Sequence, residues 1–474
     1  MARASCGQKH ELFLDVDNGL FTHLELVATR VLNETFAIVA VVTVSAEKCR
    51  DRERQPGQSV RDFTFGYGRL SSCMMPPFAW SSLSLRQVSS ARTAERLARV
   101  SRRHKSSLSI PKADLPPLDE WRTYFPNQFA AKERVSVRNP ATADSLAKSY
   151  FHPKSIAAGK GKIIIEAFPG PGQLSRALLR LPSSHISKLI ILEDHPAYLE
   201  YLRPLEQMDP RVTVISKSGF EWDTYAILEE TGVLDDVETA SWDNIHPQLH
   251  FISHISHNVK GEQLVAQLFR CIPAKSWLFK YGRVPMSLIL SQSMWDRVIA
   301  PAGAMARCKV GVIAEASAAL QNSVRPTSLL PYDNHFHPAL AGAARSRTGY
   351  NKSDAKKVGQ PMISVNVVPF AEQIITPQSL DAWDYVLRRM FVMKSTPVSK
   401  ALGYLAAGAS SLLTPLTSED LPPDERVDVK RRIKDLTLAD WTLVLRAFEN
   451  WPFAPSQEDM AIASSFNMHE ARAR

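Results

Sequence analysis

Residues 162–179 read KIIIEAFPGPGQLSRALL. A β-branched apolar run, Ile163–Ala167, stops at a Pro/Gly turn and gives way to the helical pattern of Gln173–Arg180. Gly170 and Gly172 let the backbone approach a nucleotide and open the helix with free N–H groups. Such a turn is as often only a turn, so its meaning depends on the residues downstream of it. The alternation then recurs: Lys188–Leu192 before Pro196–Gln207, Val212–Ser216 before Trp222–Glu230, Leu249–Ile255 before Gly261–Cys271. Short apolar runs separated by helical periods predict a doubly wound α/β domain, with its ligand crevice beyond the carboxyl ends of parallel strands. Glu193, in IILED, stands about 20 residues beyond the turn, where an acid would hold the ribose hydroxyls of an adenosine-containing cofactor.

The rest of the composition bounds the possibilities. The chain has 474 residues, 45% hydrophobic and 22% charged, which suggests two or three domains. Its longest apolar run, Phe36–Val44, falls far short of the ~20 residues of a membrane span. No membrane association is expected. Cys6, Cys49, Cys73, Cys271 and Cys308 are odd in number and widely spaced, which fits a reducing compartment and predicts no zinc site. The net charge of +9 is concentrated between Met75 and Lys112, where eight basic side chains face Glu95 alone. That segment is rich in Arg and Ser and can form an amphipathic helix, with Leu97 and Val100 on one face. It has the composition of a mitochondrial presequence, with a basic nucleic-acid arm as the alternative.

Presequences act from a chain start, so translation is expected to begin at Met74 or Met75. Residues 1–74 would then be an upstream extension, whose apolar stretch Phe36–Val44 finds no partner further along the chain. The expected organisation is an extension over 1–74, a presequence over 75–112, an α/β domain over 113–375, and a helical domain with a tail over 376–474. Short helices or loops over Asp119–Gln128 and Thr142–Tyr150 lead into the α/β domain. Residues 321–360, rich in Pro, Ala, Ser and Arg without periodicity, read as a mobile loop insertion. Helices are expected over Ser379–Met393, Pro397–Leu413 and Leu438–Phe448, with a basic stretch, Val427–Asp435, read as an exposed helix face.

At this point the residues resemble a known family. EAFPGPGQLSRALL (166–179) resembles the first motif of ribosomal RNA adenine dimethylases, and IILEDHPAYLEYLRPL (190–205) their second. Residues 258–316 resemble the closing strands and helices of that fold. VNVVPF (365–370) and DAWDYVLRRMFVMKSTPVSKAL (381–402) are similar to its passage into a small helical domain. The resemblance covers roughly Asp119–Trp451 and is strongest to the fungal mitochondrial transcription factors, in which the fold serves as a specificity factor for mitochondrial RNA polymerase. It implies a class I, Rossmann-like S-adenosylmethionine-dependent methyltransferase fold with a small C-terminal helical domain.

An adenine N6-methyltransferase must hold S-adenosylmethionine, accept the target amino group, and stack the extruded base. The resemblance places Glu166, Gly170, Gly172, Glu193 and Ser218 at the cofactor. Phe168 takes the place of the family's first glycine, bringing a ring where none was, and Ser218 replaces an Asp that accepts from the adenine amino group. The motif N-[LI]-P-[YF]-N at the fourth strand becomes His254-Ile255-Ser256-His257-Asn258. His254 replaces the acceptor Asn, Ser256 the Pro, and His257 the stacking aromatic, and only Asn258 is retained. A neutral histidine can stack or accept a hydrogen bond, yet methyl transfer depends on orientation, which these changes remove. The expectation is a partly dismantled cofactor site, with weak S-adenosylmethionine binding left open, and no robust methyl transfer.

A reused scaffold would hold single-stranded nucleic acid in the groove between its domains, on a basic track with stacking aromatics. The candidates are Lys275, Trp277, Lys280, Tyr281 and Arg283, with Arg388, Arg389 and Lys394 on the first C-terminal helices. The implied partners are mitochondrial RNA polymerase and melted promoter DNA in the mitochondrial matrix. The alternatives are a mitochondrial ribosomal RNA adenine N6-dimethyltransferase and a non-catalytic ribosome-assembly protein that binds ribosomal RNA. The placement of the start predicts that peptide mapping of the endogenous protein recovers nothing from residues 1–70; abundant peptides there would overturn it.

Overall fold

The computed structural model describes residues 114–125, 134–151, 161–339 and 359–460, with the backbone of three strands earlier in the chain. The expected presequence, the tail beyond 460 and residues 340–358 of the expected insertion lie outside the described residues. The chain divides into two compact units, Met1–Glu95 and Arg96–Arg474. In the first, β1 (Gln8–Leu14), β2 (Thr22–Val31) and β3 (Thr35–Val44) form an antiparallel meander. The apolar stretch Phe36–Val44 therefore has a backbone partner, β2, which precedes it in the chain.

In the second unit, β4 (Ser136–Val137) precedes the central strand β5 (Lys162–Ala167). After it come β6 (Ile186–Leu192), β7 (Val212–Ile215), β8 (Leu249–His254), β9 (Met286–Ser291) and β10 (Ala318–Asn322). β11 (Phe336–His337) and β12 (Met362–Pro369) complete the set. Seven strands form one sheet in the order β10-β12-β9-β8-β5-β6-β7. Neighbours from β9 to β7 run parallel, while β12 is antiparallel to both β9 and β10. The direction of strand addition reverses between β5 and β8, which opens a crevice at their carboxyl ends.

A central parallel strand is covered on both faces, and β5 is correspondingly apolar apart from Lys162 and Glu166, which are themselves buried. Ile163, Ile165 and Ala167 point into one core with Ile190 and Leu192, and Ile164 into the other with Leu189 and Ile191. The first core continues without a break into the helical domain, through Trp383, Tyr385, Leu402, Trp441 and Phe448. Polar links reinforce that junction: Lys309 bonds Asp384 at 2.7 Å, Arg270 bonds Asp381 at 2.8 Å, and Lys394 donates to the Met305 carbonyl at 2.9 Å.

Local chemistry sets the helix limits. Asn139 caps Pro140–Ser149 by accepting from the Ala141 and Thr142 amides, and Thr437 with Asp440 forms a capping box on Leu438–Glu449. Three expectations need correction. The helix expected over Pro397–Leu413 is broken into Val398–Ala401, two 3-10 turns (Leu402–Tyr404 and Ala409–Leu412) and Leu413–Thr417, with Gly408 at φ +82° opening the second turn. The basic stretch Val427–Asp435 is not a helix face: Arg431 pairs with Asp440, Arg432 and Lys434 pair with Asp435, and Lys434 is buried. Residues 321–339 are not a mobile loop. Leu329, Tyr332 and Phe336 are buried against Trp121 and Phe125, and β11 pairs with β4. Their anchors are irregularly spaced, so no periodicity announces them.

Because one core spans the α/β and helical parts, Trp441→Ala should cost about 3–5 kcal/mol and lower a single calorimetric transition of this unit. A separate early transition for residues 376–460 would contradict the shared core.

Candidate functional site

The crevice is built from the ends of β5, β6 and β8. Glu166, next to last on β5, is completely buried; its Oε2 accepts from Ser175 Oγ at 2.6 Å, and its Oε1 lies 3.9 Å from His254 Nε2. Burial pushes the Glu166 carboxyl up to about 8 and His254 down to about 4, so both are neutral at pH 7.

Three positions of the turn lie in the left-handed region: Phe168 at φ +61°, Gly170 at +63° and Gly172 at +88°. Phe168 therefore keeps a glycine-like backbone that costs a non-glycine residue roughly 1–2 kcal/mol. A β-carbon at Gly170 would sit 2.5 Å from Ser136 Cβ, and one at Gly172 would sit 2.5 Å from Leu202 Cδ2. The close approach that the glycines allow is thus taken up by β4 and by the helix Pro196–Met208.

Glu193 follows β6 and is 0% exposed. Its Oε1 accepts from the Asp194 and His195 amides, each at 3.0 Å, and from the Arg134 guanidinium; its Oε2 accepts from the Gly170 amide at 3.3 Å. Burial pushes this carboxyl up to about 7, against the pull of Arg134. Arg134 also bonds Asp194 at 2.9 Å and lies 4.6 Å from the centre of the Phe168 ring. Ser218 is half-buried in the loop after β7, its Oγ accepting from the Phe220 amide at 3.4 Å and its carbonyl from Thr224 Oγ1 at 2.8 Å. The structure therefore brings Glu166, Gly170, Gly172 and Glu193 together, as the sequence predicts, and adds Arg134 and Ser136. No sequence signal marks these two, since their role comes from β4 being held by β11.

The fourth-strand motif is absorbed into the fold. Asn258 caps the helix Val259–Ala274, accepting from the Gly261 amide at 2.9 Å and from Ser256 Oγ at 2.9 Å. His257 is buried, its Nε2 2.9 Å from Met362 Sδ, and burial pushes it down to about 4. In this position it does not present a face for a base to stack on, contrary to the role suggested by its place in the motif.

The expected basic track is also divided. The helix Val259–Ala274 runs back from the carboxyl end of β8, so Lys275–Arg283 lie toward the amino ends of the strands, opposite the crevice. Trp277 packs edge-on against Phe251 and Tyr225, with ring centres 4.8 and 5.1 Å away. Lys280 pairs with Glu229, and the Tyr281 hydroxyl donates to the same carboxylate at 3.2 Å. Lys275 lies 5.0 Å from the Trp242 ring centre, and Arg283 donates to the Pro369 and Asp243 carbonyls. On the helical part, Arg388 lies 3.8 Å from Asp384, Arg389 stacks 4.6 Å over Tyr385, and Lys394 holds Met305. The first set therefore does not line the crevice. Among the described residues there is no cluster of His, Cys, Asp and Glu that could hold a metal, and no helix long and apolar enough to cross a membrane.

A seven-stranded sheet in this order, with β12 inserted antiparallel and a glycine turn at the switch point, defines a class I methyltransferase fold. The profile of the family described as Ribosomal RNA adenine dimethylase matches residues 138–448, and the chain belongs to that family. Mitochondrial transcription factor 1 of Lachancea kluyveri is 24% identical over 292 residues, covering 62% of this chain and 82% of the relative. Its counterpart in Saccharomyces paradoxus is 24% identical over 355 residues, covering 73% and 95%. Dimethyladenosine transferase 1, mitochondrial, of Vermamoeba vermiformis is 22% identical over 325 residues, covering 62% and 84%.

The neutral state of Glu166 has a measurable consequence. Unfolding lets this carboxyl ionise above its ordinary 4.5, so its contribution to stability is lost as pH rises from 4.5 towards 8. Glu166→Gln keeps the acceptor for Ser175 without ionising. Its melting temperature should match the parent at pH 5 and exceed it by pH 8, by on the order of 3 kcal/mol in stability. A gap that does not change with pH would mean the carboxylate stays charged in the fold.

Proposed function

We propose that the protein is a mitochondrial transcription initiation factor. It would bind mitochondrial RNA polymerase, help melt promoter DNA and contact the exposed strand, without transferring methyl groups. The observation that carries this reading is the state of Glu193. The carboxylate expected to hold a cofactor ribose is engaged by Arg134 and three backbone amides, and Arg134 in turn stacks on Phe168. The ribose hydroxyls of S-adenosylmethionine would have to displace a guanidinium from a buried acid, so the residues present do not fit that cofactor. The inward-turned His257 and the capping role of Asn258 agree with a site that no longer receives a base. The mitochondrial transcription factors among its relatives add weight to this reading.

The expected domain plan is retained as part of the proposal: a presequence over 75–112 removed on import to the matrix, an α/β domain over 113–375 and a helical domain over 376–474. The divided basic residues favour DNA contact through the helical part, Arg388, Arg389 and Lys394, over a track that includes Lys275–Arg283. A second reading, ribosomal RNA adenine dimethylation, draws on the retained Gly170, Gly172 and Glu193 and on the dimethyladenosine transferases among the relatives.

One pair of assays separates them. With the cognate mitochondrial RNA polymerase, the protein should raise run-off initiation at least ~10-fold on a duplex promoter and little on a pre-melted one, a difference of about 1.4 kcal/mol or more in the rate-limiting step. Incubation with labelled S-adenosylmethionine and small-subunit ribosomal RNA should leave no label in the RNA. Methyl incorporation with no effect on initiation would reverse the assignment.

A further inference from the structure

A pocket that loses its ligand leaves behind the groups that held it. Here those groups include two fully buried carboxyl side chains, Glu166 and Glu193. A buried acid that is neither neutral nor paired is strongly destabilising, and so is removing the cation from a buried pair. Glu166 meets the first condition and Glu193 the second. We propose that Arg134 is a built-in substitute for the lost cofactor: its guanidinium, carried into the cradle by β4, occupies Glu193 and stacks on Phe168, sealing the site with the chain's own cation. This inference rests on the reading that the cradle no longer receives S-adenosylmethionine.

Three observations separate such a plug from an ordinary surface ion pair. First, only one partner reaches solvent: the Arg134 side chain is 18% exposed and that of Glu193 0%. Second, the plug is anchored on both sides. Ser136, two residues on, fills the space beside Gly170, and β4 is pinned by the Phe336↔Val137 and His337↔Ser136 pairs with β11. Third, the ring beneath the guanidinium belongs to Phe168, which holds a left-handed backbone despite its side chain. The attraction of a guanidinium for an aromatic face works against that conformational penalty. Glycine would restore the open turn and remove the ring at once.

The test uses the full chain with S-adenosylmethionine and S-adenosylhomocysteine as calorimetric probes. The parent should give no saturable heat at millimolar ligand. The double variant Arg134→Gly with Phe168→Gly should bind one or both probes at least ~10-fold more tightly and be stabilised thermally by them. A parent that binds as tightly as the variant, or a folded variant that binds neither probe, would overturn the plug. Should the double variant fail to fold, a thermal cycle decides. Arg134→Met should lower the melting temperature, and adding Glu193→Gln should recover most of the loss, because the unpaired acid is then gone. An unchanged melting temperature in Arg134→Met, or no recovery on adding Glu193→Gln, would count against it. Absence of promoter stimulation alongside a ligand-free parent would remove the transcription reading and leave the plug standing, so the two can fail separately.

Discussion

Two acids, Glu166 and Glu193, sit at the carboxyl ends of the adjacent strands β5 and β6, sealed from water. Burial disfavours their charged forms, so each needs a proton or a cation close by. Much of the crevice follows from that need. Ser175 is turned to Glu166, the Asp194, His195 and Gly170 amides converge on Glu193, and Arg134 is drawn in from a segment 59 residues earlier in the chain. Around them the glycine turn keeps the geometry of a ligand cradle while its free space is filled by Ser136 and Leu202.

The same economy extends to the fourth-strand motif. Positions that in a methyltransferase would face a flipped base instead cap a helix or fill the interior, as Asn258 and His257 do. Under the proposed reading, a fold that no longer holds a cofactor must still close over that place, and side chains already at the crevice are the ones available. The helical domain contributes to this rigidity. Its aromatic residues Trp383, Trp441 and Phe448 belong to the core beneath the sheet, so the two parts behave as one packed body and not as lobes joined by a linker.

Much of the architecture could be read along the chain. Parallel strands buried on both faces leave runs such as Ile163–Ala167, and crossover helices leave a 3.6-residue rhythm, so Trp222–Glu230 and Gln173–Leu179 fell where the pattern put them. Irregular segments escaped. Residues 321–339 carry their buried anchors at uneven spacing, and the winding after Pro397 passes from one α turn into two 3-10 turns separated by Gly408, a change that composition only hints at. Basic residues were the least legible. A run such as Lys430–Lys434 looks like a solvated helix face in one dimension, and its acids, Asp435 and Asp440, lie beyond it in sequence yet beside it in space.

By itself the sequence determined the α/β class and the family resemblance, because hydrophobic period, turn chemistry and motif identity are local properties of the chain. It also located Glu166, Gly170, Gly172 and Glu193 as one cradle, since strand order in a doubly wound sheet follows from connection rules. Only the tertiary structure decided what fills that cradle and which cations are spoken for. Arg134 meets Glu193 because β11 pins β4, and Lys280 meets Glu229 because a helix folds back across the sheet. Electrostatic partners are fixed by distance in three dimensions, and no spacing along the chain encodes that distance.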